Sequence, residues 1–179
     1  MTTEDFVRLV YPAACRSSAK SGISPLFITA QAALESGWGR RRIGRWNLFG
    51  ITRGSWTGPC VAVETTEYFR RPDVRFSPPE EVLSVERLDD GRYRYRVRRL
   101  FRDYPTLEAA IDDHCAVLRG SGFADAWPHR ADPEAFVERL QDSVGSRYAT
   151  SPDYVDVMRR MFATVARLLR KTGLDSAAE

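Results

Sequence analysis

The chain has 179 residues, 43% hydrophobic and 28% charged, the composition of one ordinary globular domain. Its formal net charge of +3 is carried almost wholly by arginine, Lys20 and Lys171 being the lysines, an excess too mild and too scattered for a nucleic-acid module. No apolar run approaches a membrane span, the opening segment lacks the pattern of a signal peptide, and Cys15, Cys60 and Cys115 are too widely spaced for a metal motif or a disulfide framework.

Thr3-Glu4-Asp5, followed by Phe6, Val7, Val10, Tyr11 and Ala14 at helical spacing, predicts a first helix with a bend near Pro12 and an end at Ser21-Gly22. Ser24 as cap, Pro25 in the first turn and Gly37 as terminator predict a second helix over 25–36. Glu35 falls in its last turn, facing the negative end of the helix dipole at a cost of roughly 0.3 to 1 kcal/mol. Gly37 and Trp38 follow it rather than a cation, so the protonated acid is favoured. Ile28, Gln31 and Glu35 share one stripe, with Leu26, Ala30, Ala33 and Leu34 on or near a neighbouring apolar face, so Glu35 borders the core and can point into a cleft.

Residues 40–45 read as a basic loop, after which Trp46, Leu48 and Phe49 bring large apolar groups close to the acid. Pyranose faces stack on aromatic rings, and an apolar wall raises a carboxyl pKa. Phe49 is expected in the core, and at least one of Trp38 and Trp46 in a sugar groove. Val61, Val63, Thr65 and Thr66 after Gly58-Pro59 predict a strand. On it Glu64 and Glu67 lie an odd number of residues apart and so on opposite faces, and spacing does not choose between them.

Pro72, Pro78 and Pro79 mark a loop over 70–80. Segments 82–88 and 92–98 flank Asp89-Asp90-Gly91, a hairpin signal. Its second strand alternates Tyr93, Tyr95 and Val97 with Arg92, Arg94, Arg96 and Arg98, giving one apolar and one strongly basic face. Such a face is usually solvated, although a substrate with carboxylates could rest on it. Helices follow over 107–119, capped by Thr106 with Ala110, Ile111, Cys115 and Leu118 on one side, over 134–142 after Asp132-Pro133, and over 153–171 after Ser151-Pro152. In the last, Tyr154, Val157, Met158, Met161, Val165 and Leu168 have core periodicity, and residues after about 173 form a flexible tail. The cysteines read as small, mostly buried side chains. His114 and His129 stand in no recognisable nucleophile or metal context, so no metal or other cofactor is expected.

Six motifs occur in order: Ala30-Gln31-Ala32-Ala33-Leu34-Glu35-Ser36-Gly37-Trp38-Gly39, Asn47-Leu48-Phe49-Gly50-Ile51, Trp56-Thr57-Gly58, Thr65-Thr66-Glu67-Tyr68, Phe101-Arg102-Asp103-Tyr104 and Tyr148-Ala149-Thr150-Ser151-Pro152-Asp153-Tyr154. In these the chain resembles the glucosaminidase family, glycoside hydrolase family 73, which includes the hydrolase domain of flagellar rod-assembly proteins, autolysins and phage lysins. The resemblance implies an α+β, lysozyme-like fold, mainly helical with a small β-hairpin lobe over the active-site cleft, as a single catalytic domain over 1–179.

It implies a peptidoglycan hydrolase cleaving after N-acetylglucosamine, with Glu35 as general acid. Glu67, chosen over Glu64 by its place in the motif, is the implied second carboxylate, which activates water or assists attack by the substrate's own N-acetyl group. Trp38, Trp46, Asn47, Phe49, Tyr68 and Tyr148 are the implied substrate contacts, Tyr148 orienting the N-acetyl group or a water. The expected partner is the peptidoglycan glycan strand, met by a monomer with no nucleic acid and no membrane insertion. With no signal peptide expected, the protein would reach the cell wall through a holin, as a phage or prophage endolysin, or through a secretion system, as a lytic effector. A muramidase, a lytic transglycosylase of similar fold and a non-catalytic wall-binding or assembly module are the rival readings. Two departures from the family pattern are the longer segment between Thr65-Thr66-Glu67-Tyr68 and Phe101-Arg102-Asp103-Tyr104, which predicts an enlarged β lobe, and Thr52 in place of a common lysine.

Overall fold

A computed structural model describes residues 1–142 and 152–175. They form two compact units, one of Met1–Gly50 with the chain from Tyr104 onward, the other of Ile51–Asp103. The first unit is helical: α1 (Thr3–Ser21), α2 (Pro25–Ser36), α3 (Leu107–Leu118), α4 (Pro133–Asp142) and α5 (Tyr154–Thr172), with 3-10 turns at Ser121–Phe123 and Trp127–His129.

The ends of α1 and α2 follow from the capping residues. The Thr2 hydroxyl accepts from the Asp5 N–H and the Asp5 carboxylate from the Thr2 N–H, a capping box, and the assigned helix runs through Pro12. Ser24 caps α2 at Phe27, with Pro25 in the first turn. Gly22 and Gly37 end the two helices in the left-handed region.

α2 is the centre of this unit, packing on α1 and α5, while α1 also packs on α3. Eight of its 12 residues are buried, among them Thr29, Gln31 and Ser36. The sequence stripes place it as a helix with one apolar face. Instead it is enclosed nearly all round, which its many alanines allow by letting neighbours approach closely. The core around it comprises Phe6, Phe27, Ile28, Ile111, Leu118, Phe136 and Met158, and Phe27 meets the Phe136 ring at 4.8 Å. All three cysteines are free thiols, Cys115 buried and the others half-buried.

The second unit is an antiparallel sheet in the order β1-β3-β2, from β1 (Cys60–Phe69), β2 (Glu81–Arg87) and β3 (Tyr93–Arg102). The expected hairpin of β2 and β3 is present, and β1 pairs along β3 to make three strands. Tyr95 and Val97 are buried on one face, with the Tyr95 hydroxyl donating to the Arg71 carbonyl at 3.0 Å, while Arg94, Arg96 and Arg98 are exposed on the other. That second face is not the free cationic surface that alternation alone suggests. Arg94 pairs with Glu86, Arg96 with Glu64 at 2.8 Å, and Arg98 with Glu81 at 2.6 Å and Glu64 at 3.5 Å. Cross-strand glutamates neutralise the arginines, as opposite charges on neighbouring strands do.

Directly after α2, Gly37, Trp38 and Gly39 all have positive φ, at 55°, 61° and 76°. The buried Ser36 hydroxyl donates to the Ala32 carbonyl at 2.6 Å and accepts the Gly39 N–H at 2.7 Å. A Cβ on Gly39 would meet the Met1 methyl at 2.5 Å and the Phe6 ring at 3.3 Å. Gly39→Ala is therefore expected to cost about 1–2 kcal/mol from backbone handedness, and Ser36→Ala about 1–3 kcal/mol from the stranded N–H. Urea denaturation read by circular dichroism checks both, and unchanged midpoints would mean that this turn does not constrain the fold.

Candidate active site

Glu35 occupies the last turn of α2 and is exposed, yet desolvation by the protein around it raises its carboxyl pKa above the ordinary value of 4.5. The shift runs in the direction that removal of water from around a carboxyl gives. A cation does come near, contrary to the expectation from the residues immediately after it. The Arg41 guanidinium acts on Glu35 in the opposite sense, without reversing the upward shift. Arg41 is brought back because its N–H donates to the Ser36 carbonyl at 2.8 Å and its side chain lies over Gly37, where a Cβ would meet Nε at 2.9 Å.

One turn before the acid, Gln31 is fully buried and holds a chain of polar groups. Its amide nitrogen donates to the Tyr154 hydroxyl at 2.8 Å, and its carbonyl oxygen lies 2.6 Å from His114 Nε2. With the amide so oriented, His114 carries its proton on Nε2. Burial pushes the imidazole pKa down to about 3, so it is neutral at working pH. Phe49 stacks on it, ring centroids 3.8 Å apart and planes within 5°. Burial also raises the Tyr154 phenol pKa, the Gln31 bond opposes that, and the Glu35 charge adds to it. The sequence placed Gln31 on the Glu35 stripe and gave His114 no recognisable context, and nothing in the spacing joined them.

The remaining sequence candidates in the helical unit are differently placed. Trp38 is half-buried, meets the Phe6 ring edge-on at 5.6 Å and borders a small recess with Val157, Arg160 and Met161 of α5. Trp46 is half-buried with the Arg42 guanidinium 5.7 Å above its ring. Asn47 is buried, its backbone exchanging hydrogen bonds with Ile43 at 2.9 and 3.1 Å, which closes the turn that presents Trp46. Phe49 lies in the core, as expected. Tyr148 lies outside the described residues.

In the sheet unit the strand register separates the two glutamates as alternation requires. Glu67 stands opposite Tyr95 on the sheltered face, and Glu64 opposite Arg98 on the exposed one. Tyr68 shares the exposed face, with Arg92 5.3 Å over its ring, so it points away from Glu67. Glu67 accepts from Arg99 Nη1 at 3.2 Å. Arg99 also faces Glu80, whose carboxylate accepts the Leu100 N–H at 3.0 Å, and lies 5.2 Å over the Phe76 ring. Arg99 escaped the sequence reading, yet it was legible there. It continues the parity of Tyr93, Tyr95 and Val97 and so belongs to the sheltered face. Among the described residues no cluster of His, Cys, Asp and Glu could hold a metal ion.

The glucosaminidase family profile, described as mannosyl-glycoprotein endo-beta-N-acetylglucosaminidase, matches residues 11–167. The chain is 29% identical over 177 residues to the peptidoglycan hydrolase FlgJ of Pseudomonas aeruginosa, covering 94% of this chain and 37% of that protein. It is 28% identical over 185 residues to a probable N-acetylmuramidase of Lactococcus lactis, covering 98% of this chain and 36% of that one. The chain thus spans well under half the length of these relatives. The solved glycoside hydrolase domain of Salmonella typhimurium FlgJ superposes with a TM-score of 0.72 at 28% identity, over 99% of this chain and 97% of that domain. That likeness agrees with the expected α+β, lysozyme-like class.

The raised Glu35 pKa fixes the sign of a stability effect. Between the unfolded-state and folded-state values the folded protein binds the extra proton, so stability falls as pH rises through that interval. Below both values the cost vanishes. Glu35→Gln is expected to be more stable than the parent at pH 7 and equal to it below about pH 4. Thermal melts of the two proteins across that range check this, and a Gln variant less stable at pH 7 would contradict the desolvated setting.

Proposed function

The chain belongs to the glucosaminidase family, and on that premise we propose that it is a peptidoglycan hydrolase cutting the β-1,4 bond after N-acetylglucosamine, with Glu35 as the general acid. The observation that carries this reading is the desolvated carboxyl at the negative end of α2, which keeps its proton to higher pH than an ordinary glutamate. Protonation of the departing glycosidic oxygen requires such an acid. The polar chain of His114, Gln31 and Tyr154 ties this helix to α3 and α5 and holds the turn that carries it.

Glu67 is the second carboxylate of the proposal. It lies on the sheltered strand face beside Arg99, whereas Glu64 is engaged on the exposed face by Arg96 and Arg98. Its work is to activate water or to assist the substrate's N-acetyl group as the anomeric carbon gains positive charge. Half-buried Trp38 and Trp46 are suited to stack on sugar rings. The Lactococcus lactis relative's name, probable N-acetylmuramidase, supports a second reading in which the other glycosidic bond is cut.

Glu35→Gln keeps shape and hydrogen bonding but removes the transferable proton, so clearing of purified peptidoglycan suspensions should slow by about 10² to 10⁴. A variant retaining more than about a tenth of the parental rate would remove Glu35 from the acid's role. A parent that sediments with the wall without clearing it would be a binding module instead.

The bond that is cut is read from the new ends. Borohydride reduction and mass spectrometry should find reduced N-acetylglucosamine, where a muramidase leaves reduced N-acetylmuramic acid and a lytic transglycosylase a 1,6-anhydro ring. Glu67→Gln should remove most activity and Glu64→Gln much less. The reverse order would transfer the role to the exposed strand face.

A further inference from the structure

The sheet unit holds a cavity of about 560 Å³, within the range of ligand sites, lined by Arg53, Phe69, Arg75, Phe76, Glu80 and Arg99. It adjoins Glu67, because Arg99 lies in its wall and bonds that carboxylate at 3.2 Å. Its charge is unbalanced: three arginines stand against Glu80 in the lining. Glu80 is already engaged, by the Leu100 N–H at 3.0 Å and by Arg99. Among the described residues Arg75 has no carboxylate partner, and the Arg53 guanidinium donates to the Pro78 carbonyl, at 3.3 Å, rather than to a carboxylate. Arg99 Nε is buried with no hydrogen-bond acceptor, its nearest carboxylate oxygen lying 3.6 Å away on Glu80.

A purely structural role accounts for Arg99 in part, since Glu67 and Glu80 flank it. It does not account for Arg53 and Arg75 at the same cavity, nor for the N–H that Glu80 fails to reach. On the other face of this sheet every arginine of the alternating run from Arg94 to Arg98 has a glutamate partner. The cavity therefore differs from that face in presenting guanidinium groups without carboxylate partners, which suit planar oxyanions, beside aromatic walls. Phe76 and Arg75 come from the 70–80 loop between β1 and β2.

We propose that this cavity is a subsite for a carboxylate-bearing part of the substrate next to the bond being cut, Arg53 and Arg75 being specificity residues. The proposal rests on the peptidoglycan reading, since a neutral glycan offers hydroxyl and carbonyl acceptors but no negative charge to the guanidinium groups of Arg53 and Arg75. Two parts of the wall supply such a carboxylate: the stem peptide, and the lactyl group of the sugar once the peptide is removed.

The test uses sacculi freed of phosphate polymers, either intact or stripped of peptides by an amidase. Cosedimentation is measured for the Glu35→Gln protein alone and with Arg75→Gln, Arg53→Gln or Arg94→Gln added. Arg75→Gln and Arg53→Gln should each weaken binding about three- to tenfold, while Arg94→Gln, which removes the same charge from the opposite face, should not. Loss on intact sacculi only assigns the stem-peptide carboxylate, and loss on stripped glycan assigns the lactyl one. Unchanged binding on both, or an equal effect of Arg94→Gln, would overturn the subsite. Clearing by the parent protein is scored separately, so lysis without Arg75 dependence sinks the subsite alone, and Arg75-dependent binding without lysis sinks the enzymatic reading alone.

Discussion

Three consecutive residues of left-handed backbone, Gly37, Trp38 and Gly39, are the constraint on which the candidate site depends. Glycine adopts that conformation readily, but a bulky residue at φ 61° is a strained outlier, costing about 1–3 kcal/mol. The strain is offset locally. The Trp38 N–H reaches the Ala33 carbonyl at 2.8 Å, the Ser36 hydroxyl bridges Ala32 and Gly39, and the indole rests edge-on against Phe6. The consequence is that α2 stops abruptly, leaving Glu35 one residue before its last position. The same turn sends Arg41 back over Gly37, so the cation that moderates the Glu35 pKa arrives by backbone geometry rather than by neighbouring sequence.

The second constraint is electrostatic. A helix as enclosed as α2 should carry apolar side chains, yet Gln31 sits at its middle with no exposure. Removing one member of its chain would strand a buried donor or acceptor at about 1–3 kcal/mol, so the three groups specify one another. His114 stays neutral because its burial penalises the charged form, and in that form it donates one proton to Gln31. Gln31 is thereby committed to donate to Tyr154. Helices α2, α3 and α5 are thus held in one register by hydrogen bonds that tolerate little sliding, whereas an alanine-rich apolar interface alone would tolerate more.

What was legible in the sequence was whatever local chemistry decides. Ser24, Pro25 and Gly37 placed both ends of α2, Thr106 the start of α3, and Asp89-Asp90-Gly91 the hairpin, because caps and turns are satisfied within a few residues. The parity of β1 separated Glu64 from Glu67 without any tertiary knowledge. Illegible were the contacts made across long sequence separations. Gln31 with Tyr154, Gln31 with His114 and Arg96 with Glu64 join residues that no periodicity relates. The enclosure of α2 was missed for the same reason: small residues read as a weak apolar stripe until neighbours are seen to close on every side.

The sheet unit shows how parity and pairing together sort charge into different chemical roles. Arg94, Arg96, Arg98 and Arg99 are near neighbours in sequence, and composition treats them alike. The first three alternate onto an exposed face, where glutamates from β1 and β2 meet them in high dielectric and the pairs contribute little beyond strand register. Arg99 breaks the alternation and is forced onto the sheltered face with Tyr95 and Val97, where a guanidinium must find partners or lose its hydration without return. Its partners there are Glu67 and Glu80, with Phe76 below the plane. One residue of register therefore separates a solvated ion pair from a guanidinium that fixes where the Glu67 carboxylate can point. The position of a charge on the strand, not its number in the composition, determines which of the strand's arginines meets the Glu67 carboxylate.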